Sequence, residues 1–98
     1  TINNATTWAL SVFDSDLTTT QKLICLYLRS HMNDYHEIAF PAVGRIADKC
    51  SLSDRAVQKN LKMICEAGWL HNQGLHPKYG THQYLIIYPP ELGSPPNL

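Results

Sequence analysis

The clearest hydrophobic pattern in the chain lies between residues 53 and 68, where apolar positions recur at helical spacing. At about 100° per residue, Ala56, Val57, Leu61, Ile64 and Ala67 fall on one side and Arg55, Gln58, Lys59, Lys62 and Glu66 on the other. One side is core and the other is wet. Ser53 makes a good N-cap because its hydroxyl accepts from a free helix amide, and Asp54 puts negative charge at the positive helix end. Gly68 suits the left-handed conformation that stops a helix. Asn60 interrupts the apolar arc. It is expected to hydrogen-bond the backbone of a neighbouring element, or else to mark a helix rotated from this register.

The same reasoning places the other elements. Thr18 followed by Gln21 at the third helical position has the form of a capping box and starts a helix that runs to about residue 32. Its apolar residues Leu23, Ile24, Leu26, Tyr27 and Leu28 cover most of the circumference and leave Lys22 and Arg29 on a narrow polar strip. Such a helix is central to the fold or covered by a second subunit. Ahead of it, residues 1–7 are polar and expected to be loose, and Trp8, Ala9, Leu10, Val12 and Phe13 fold back as an apolar clamp. Residues 33–36 are a turn, and residues 37–40 a short strand that Pro41 ends. Between residues 42 and 50 a second amphipathic helix puts Ala42, Val43, Ile46, Ala47 and Cys50 inside and Arg45, Asp48 and Lys49 outside. Residues 69–73 and 82–88 read as strands, joined by a long tip containing Gly74, Pro77 and Gly80.

Helix, strand, helix, turn, helix and hairpin is the order of a winged helix-turn-helix: α+β, mainly α, with a three-helix core, a small antiparallel sheet and a C-terminal β-hairpin wing. On this reading residues 1–16 form an N-terminal arm packed through Trp8, residues 17–88 the winged helix domain, and residues 89–98 a Pro-rich tail or linker. In that geometry the second helix of the motif enters the major groove and the first crosses the backbone. Arg45 and Lys49 then face phosphate, and Ser53, Arg55, Gln58, Lys59 and Lys62 face bases or phosphate. Arg and Gln can make paired hydrogen bonds to guanine and adenine edges. The hairpin tip offers His76, Lys78, Tyr79 and His82 to phosphate or the minor groove.

Composition qualifies this picture. The 98 residues fit one domain, 44% of them apolar, and no apolar run approaches the ~20 residues that a membrane span requires. No secretory leader is visible, which suggests a cytoplasmic protein. A start at Thr1 and a Pro-rich end suggest a domain cut from a longer chain. Cys25, Cys50 and Cys65 are odd in number and widely spaced, the pattern of buried reduced thiols rather than of a disulfide framework or metal site. His71, His76 and His82 lack a carboxylate or Cys partner, so no metal is expected. A formal net charge of zero argues against nucleic-acid binding, but the charge is unevenly distributed. Residues 41–82 carry six basic side chains against three acidic, a local +3, whereas residues 1–40 carry −2.

Trp8-Ala9, Leu17-Thr18 with Lys22-Leu23, Phe40-Pro41 with Ile46-Ala47, the run from Leu52 through Ser53, Asp54, Arg55, Ala56, Val57 and Gln58 to Lys59, and Glu66-Ala67-Gly68-Trp69-Leu70 together resemble a known family. They are similar to the winged helix-turn-helix domains at the N-termini of phage and plasmid replication initiator proteins, and more broadly to winged-helix transcription regulators. Two positions depart from that pattern. Ala42 stands where a capping Ser is common, and Ser51 stands where the turn often has Gly. The resemblance implies binding of double-stranded DNA in replication initiation, with replication proteins as further partners and no cofactor. A protein-interaction winged helix is the competing class, with homodimerisation through the first helix or the N-terminal arm. No Ser-His-Asp, Cys-His or phosphate-loop spacing is present, so an enzyme is not expected.

Overall fold

The computed structural model describes residues 4–32 and 38–87, in the order α1 (Asn4–Phe13), α2 (Thr19–Ser30), β1 (Ile38–Ala39), α3 (Val43–Cys50), α4 (Asp54–Glu66), β2 (Leu70–Leu75) and β3 (His82–Ile86). Helices α2 and α4 have starts that their sequences explain. At α2 the Thr18 hydroxyl accepts from the Gln21 amide at 3.2 Å while the Gln21 side-chain oxygen accepts from the Thr18 amide at 3.1 Å, a complete capping box. The N-cap of α3 is Ala42, whose methyl side chain makes no capping hydrogen bond. At α4 the Ser53 hydroxyl accepts from the Ala56 amide at 3.1 Å. That helix closes with Gly68 at φ +91°, and the amides of Gly68 and Trp69 return to the carbonyls of Cys65 and Ile64.

The chain's beginning differs from expectation. Residues 1–7 were expected to be loose, yet α1 starts at Asn4. The clamp residues Trp8 and Val12 sit one turn apart on a helix and are fully buried, while Leu10 and Phe13 face outward at 60% and 56% exposure. A helix satisfies the segment's backbone groups internally, which a loose arm leaves to water. The Lys22 ammonium donates to the Phe13 carbonyl at 2.9 Å, placing a cation at the negative end of α1. Helix α2 ends at Ser30 rather than residue 32, and the turn predicted at residues 33–36 and the tail at 89–98 lie outside the described residues.

Three strands form one antiparallel sheet in the order β1-β3-β2. Ala39 pairs with Tyr84 across β1 and β3, and Leu70 with Ile86 across β2 and β3. All four are buried and close the core beneath α2, α3 and α4, where Ile24, Leu28, Ile46, Val57 and Ile64 meet. Strand β2 runs two residues further than predicted, through Leu75, because an irregularity between Asn72 and Leu75 lets the chain pass Gly74 at φ +93° and resume pairing.

One carbonyl ties the two ends of the domain together. The Trp69 oxygen accepts from the Trp8 indole at 3.1 Å and from the Ile87 amide at 3.1 Å, joining α1, the end of β3 and the junction between α4 and β2. Replacing Trp8 with Ala removes a large buried ring along with that indole donor. We expect a loss of about 3 to 5 kcal/mol in urea unfolding. A loss below about 1 kcal/mol would mean that α1 is not integral to the core.

Candidate nucleic-acid interface

Helices α3 and α4 are joined by a turn whose geometry depends on a single backbone conformation. Ser51 lies at φ 57°, ψ 46°, in the left-handed region, with its amide directed to the Asp48 carbonyl. The Leu52 amide returns to the Ala47 carbonyl at 2.8 Å, and Leu52 packs against the core. The αL conformation that commonly recruits Gly is thus adopted by a Ser, at a cost of roughly 1 to 2 kcal/mol.

The turn presents α4 with Val57, Leu61 and Ile64 buried and Arg55, Gln58, Lys59 and Lys62 exposed. Ala67 departs from the predicted inner side and is exposed, because α4 has ended at Glu66. Asn60 is resolved differently from either expectation. Its Nδ2 donates to the Ala56 carbonyl of its own helix at 2.8 Å, and its Oδ1 accepts from Nε2 of Gln21 at 3.3 Å. Gln21, only 5% exposed, thereby serves the α2 cap with one end and α4 with the other. A polar residue inside the apolar arc needs no rotation of α4 when a buried partner satisfies it.

Beside α4 runs an open groove of about 450 Å³, walled by Gln58, Lys62 and Cys65 on the helix and by Asn72, His82 and Tyr84 on the hairpin. The Asn72 Oδ1 accepts from the Gly74 amide at 2.9 Å and lies 3.2 Å from Nδ1 of His82, which fixes the hairpin's groove-facing edge. Asn72 was not singled out from sequence, although an Asn two residues before a Gly is a turn signature. His82 opens β3 opposite Leu75, where the strands meet the tip. Burial raises the Cys65 thiol above its ordinary range, with Glu66 adding to the shift, and pushes the Cys25 thiol from 9.0 up to about 12 with Cys65 adding. Both are neutral thiols at ordinary pH rather than reactive thiolates.

The predicted site residues divide into three groups. Arg55, Gln58, Lys59 and Lys62 share the exposed side of α4, and Ser53 caps it. Arg45 and Lys49 are exposed on α3, Arg45 lining a cavity with Phe40 and Tyr79. At the hairpin tip Lys78 is exposed, with Nζ 5.3 Å from the centre of the Tyr79 ring. His76 is half-buried and its Nδ1 accepts from the amides of Lys78 and Tyr79 at 3.1 and 3.3 Å, so it staples the tip and leaves Nε2 as the ring's remaining polar atom. Among the described residues, no group of three His, Cys, Asp or Glu is placed to hold a metal ion. None of the described helices is long and apolar enough to cross a membrane.

Two helices joined by a tight turn, the second with a polar exposed side, together with a three-stranded sheet and a projecting hairpin, define a winged helix-turn-helix domain. A helix-turn-helix domain family model matches residues 15–70, more than half of the chain, and the chain belongs to that family. This membership supports DNA binding. No curated protein and no solved structure matches the chain. The family match spans α2 to the first residue of β2, so the hairpin's part in the site is argued from geometry.

Since Ser51 holds the αL turn against its own preference, Ser51→Gly should stabilise the domain. The gain is expected to be about 0.5 to 1 kcal/mol, the relief of strain less the greater freedom of an unfolded Gly. A higher urea midpoint at unchanged slope is the expected result. A lower one would show that the Ser side chain contributes more than its backbone costs.

Proposed function

We propose that this domain binds double-stranded DNA in a sequence-specific manner, with α4 in the major groove. The observation that carries the reading is the exposed row of Arg55, Gln58, Lys59 and Lys62 on a helix whose opposite flank is fully packed. In this reading Arg55 and Gln58 read base edges, Lys59 and Lys62 grip the groove, and Arg45, Lys49 and Ser53 meet the backbone that α3 crosses. Lys78 and His76 steady the flanking strand from the wing. Its resemblance to phage and plasmid initiators points to replication initiation as the setting; transcription regulation accords equally well with the family. Both are compatible with a cytoplasmic protein.

A second reading draws on α1. Leu10 and Phe13, three residues apart on its outer side, leave two large apolar side chains in water. They favour self-association through the N-terminal arm, which is compatible with DNA binding as a symmetric dimer and also with a protein-interaction role that needs no DNA. Mass measured over a concentration range, with and without duplex, separates these cases.

The central test is selection of bound oligonucleotides from a random pool, followed by titration of the recovered duplex at several salt concentrations. Enrichment of one sequence with affinity that falls as salt rises supports the proposal; no enrichment and no salt-dependent binding ends it. Arg55→Ala should cost about 1 to 3 kcal/mol on the selected duplex and relax preference at one base position. An unchanged dissociation constant would return Arg55 to an ordinary solvated residue. Lys78→Ala should weaken selected and unrelated duplexes alike and lower the salt slope by about 1. A loss confined to the selected duplex would contradict a phosphate role.

A further inference from the structure

The wing tip is folded onto the domain rather than extended from it. The Thr81 hydroxyl donates to the Phe40 carbonyl, and the His76 amide and carbonyl pair with Thr81 and Gly80 across the turn. The Phe40 and Tyr79 rings lie nearly parallel, 9° apart with centres 5.6 Å from each other, and the His76 ring is 4.5 Å from Phe40. Rings held only for packing are ordinarily covered, yet Tyr79 is 57% exposed and Phe40 38%. They border an open cavity of about 410 Å³ that Arg45 of α3 also lines, and the Lys78 ammonium sits over the Tyr79 ring, 5.3 Å from its centre.

A third depression lies between this cavity and the groove beside α4. A depression along the hairpin shares Pro41, Ala42 and Thr81 with the aromatic cavity and shares Val43, His82 and Tyr84 with the α4 groove. Adjoining depressions thus extend from Gln58 and Lys62, along the hairpin, to a pair of exposed aromatic rings with two cations nearby. Flat aromatic surface with positive charge on either side is the chemistry that holds a base and its neighbouring phosphates. A base inside an intact duplex is already covered on both faces and cannot reach such a surface.

We propose that the Phe40–Tyr79 cavity takes an unpaired nucleobase of a DNA strand, stacked on the aromatic pair, with Arg45 and Lys78 on the adjoining phosphates. The inference rests on the DNA-binding reading and extends it: the domain prefers a site with an unpaired base at one flank over the same site in perfect duplex.

The test compares three probes built on the duplex recovered by selection: the perfect duplex, versions with one unpaired base stepped along each flank, and the same bulges with the base removed. At one flank position the bulged duplex should bind about fivefold or more tightly than the perfect one, and 2-aminopurine at that position should be quenched. The abasic bulge should lose the gain, because it keeps the flexibility but not the ring. Tyr79→Leu should bring the ratio of bulged to perfect affinity to one, and Tyr79→Phe should keep it. A ratio of one at every position, or an equal gain from the abasic bulge, overturns the inference while leaving duplex binding intact. Failure to bind any probe, even at low salt, overturns the DNA-binding reading and this inference with it.

Discussion

The burial of one flank of α4 is the constraint on which the domain depends. Val57, Leu61 and Ile64 are each 3% exposed or less, and at about 1.5 to 3 kcal/mol per buried aliphatic side chain they fix the helix's rotation far more strongly than any surface residue. A shift by one residue is a rotation of about 100°, which in one direction would bring Gln58 and Lys62 into the core and put aliphatic side chains into water. The exposed row from Arg55 to Lys62 is therefore a consequence of packing. Its polar members do not need to stabilise anything, and they are free to be chosen for what they touch. Ser53 and Gly68 set the ends of the same helix, so its rotation and its extent are specified independently.

A second set of ties holds the hairpin relative to that helix. The base of the hairpin is joined to α1 through the Trp69 carbonyl, and its tip is joined to the residue before Pro41 through Thr81 and the aromatic rings. Anchored at both ends, the hairpin forms a fixed wall opposite α4 instead of a swinging arm. The irregularity after Asn72 belongs to the same design. It lets β2 bend at Gly74 so that the tip reaches Phe40 while Leu70 stays in the core.

Features set by short-range chemistry could be read from the sequence. The Thr18–Gln21 box, the Ser53 cap, the Gly68 stop, the missing cap at Ala42 and the side of α4 that faces water all follow from residue type and spacing over a few positions. The αL turn at Ser51 was anticipated as a departure from Gly, and the backbone adopts the left-handed form nonetheless because the return of the Leu52 amide to Ala47 requires it. Features set by contacts distant in sequence were not legible. Asn60 finds its partner in Gln21, 39 residues away, and the partners of Phe40 lie in the wing. The start of α1 was missed for the opposite reason: its polar first turn carries little hydrophobic pattern, and the buried pair that fixes it, Trp8 and Val12, lies beyond that turn.

Charge placement bears on how such a surface would meet a duplex. With a formal net charge of zero, the chain as a whole offers DNA little long-range attraction, and six basic side chains between residues 41 and 82 are the whole local supply. Acidic groups collect at the far end of α4: Glu66 closes the helix, and Asp14 and Asp16 line a depression with Ala67 and Trp69 just beyond it. Attraction is therefore strongest at the N-terminal half of α4 and fades toward repulsion at its C-terminal end. A duplex held by few phosphate contacts gains less from counterion release, so contacts to bases must supply a larger share of its affinity. On the proposed reading, near-neutrality is compatible with DNA binding and favours selectivity over tight hold. Arg55 and Gln58, both in the first half of α4, have side chains whose geometry suits base edges.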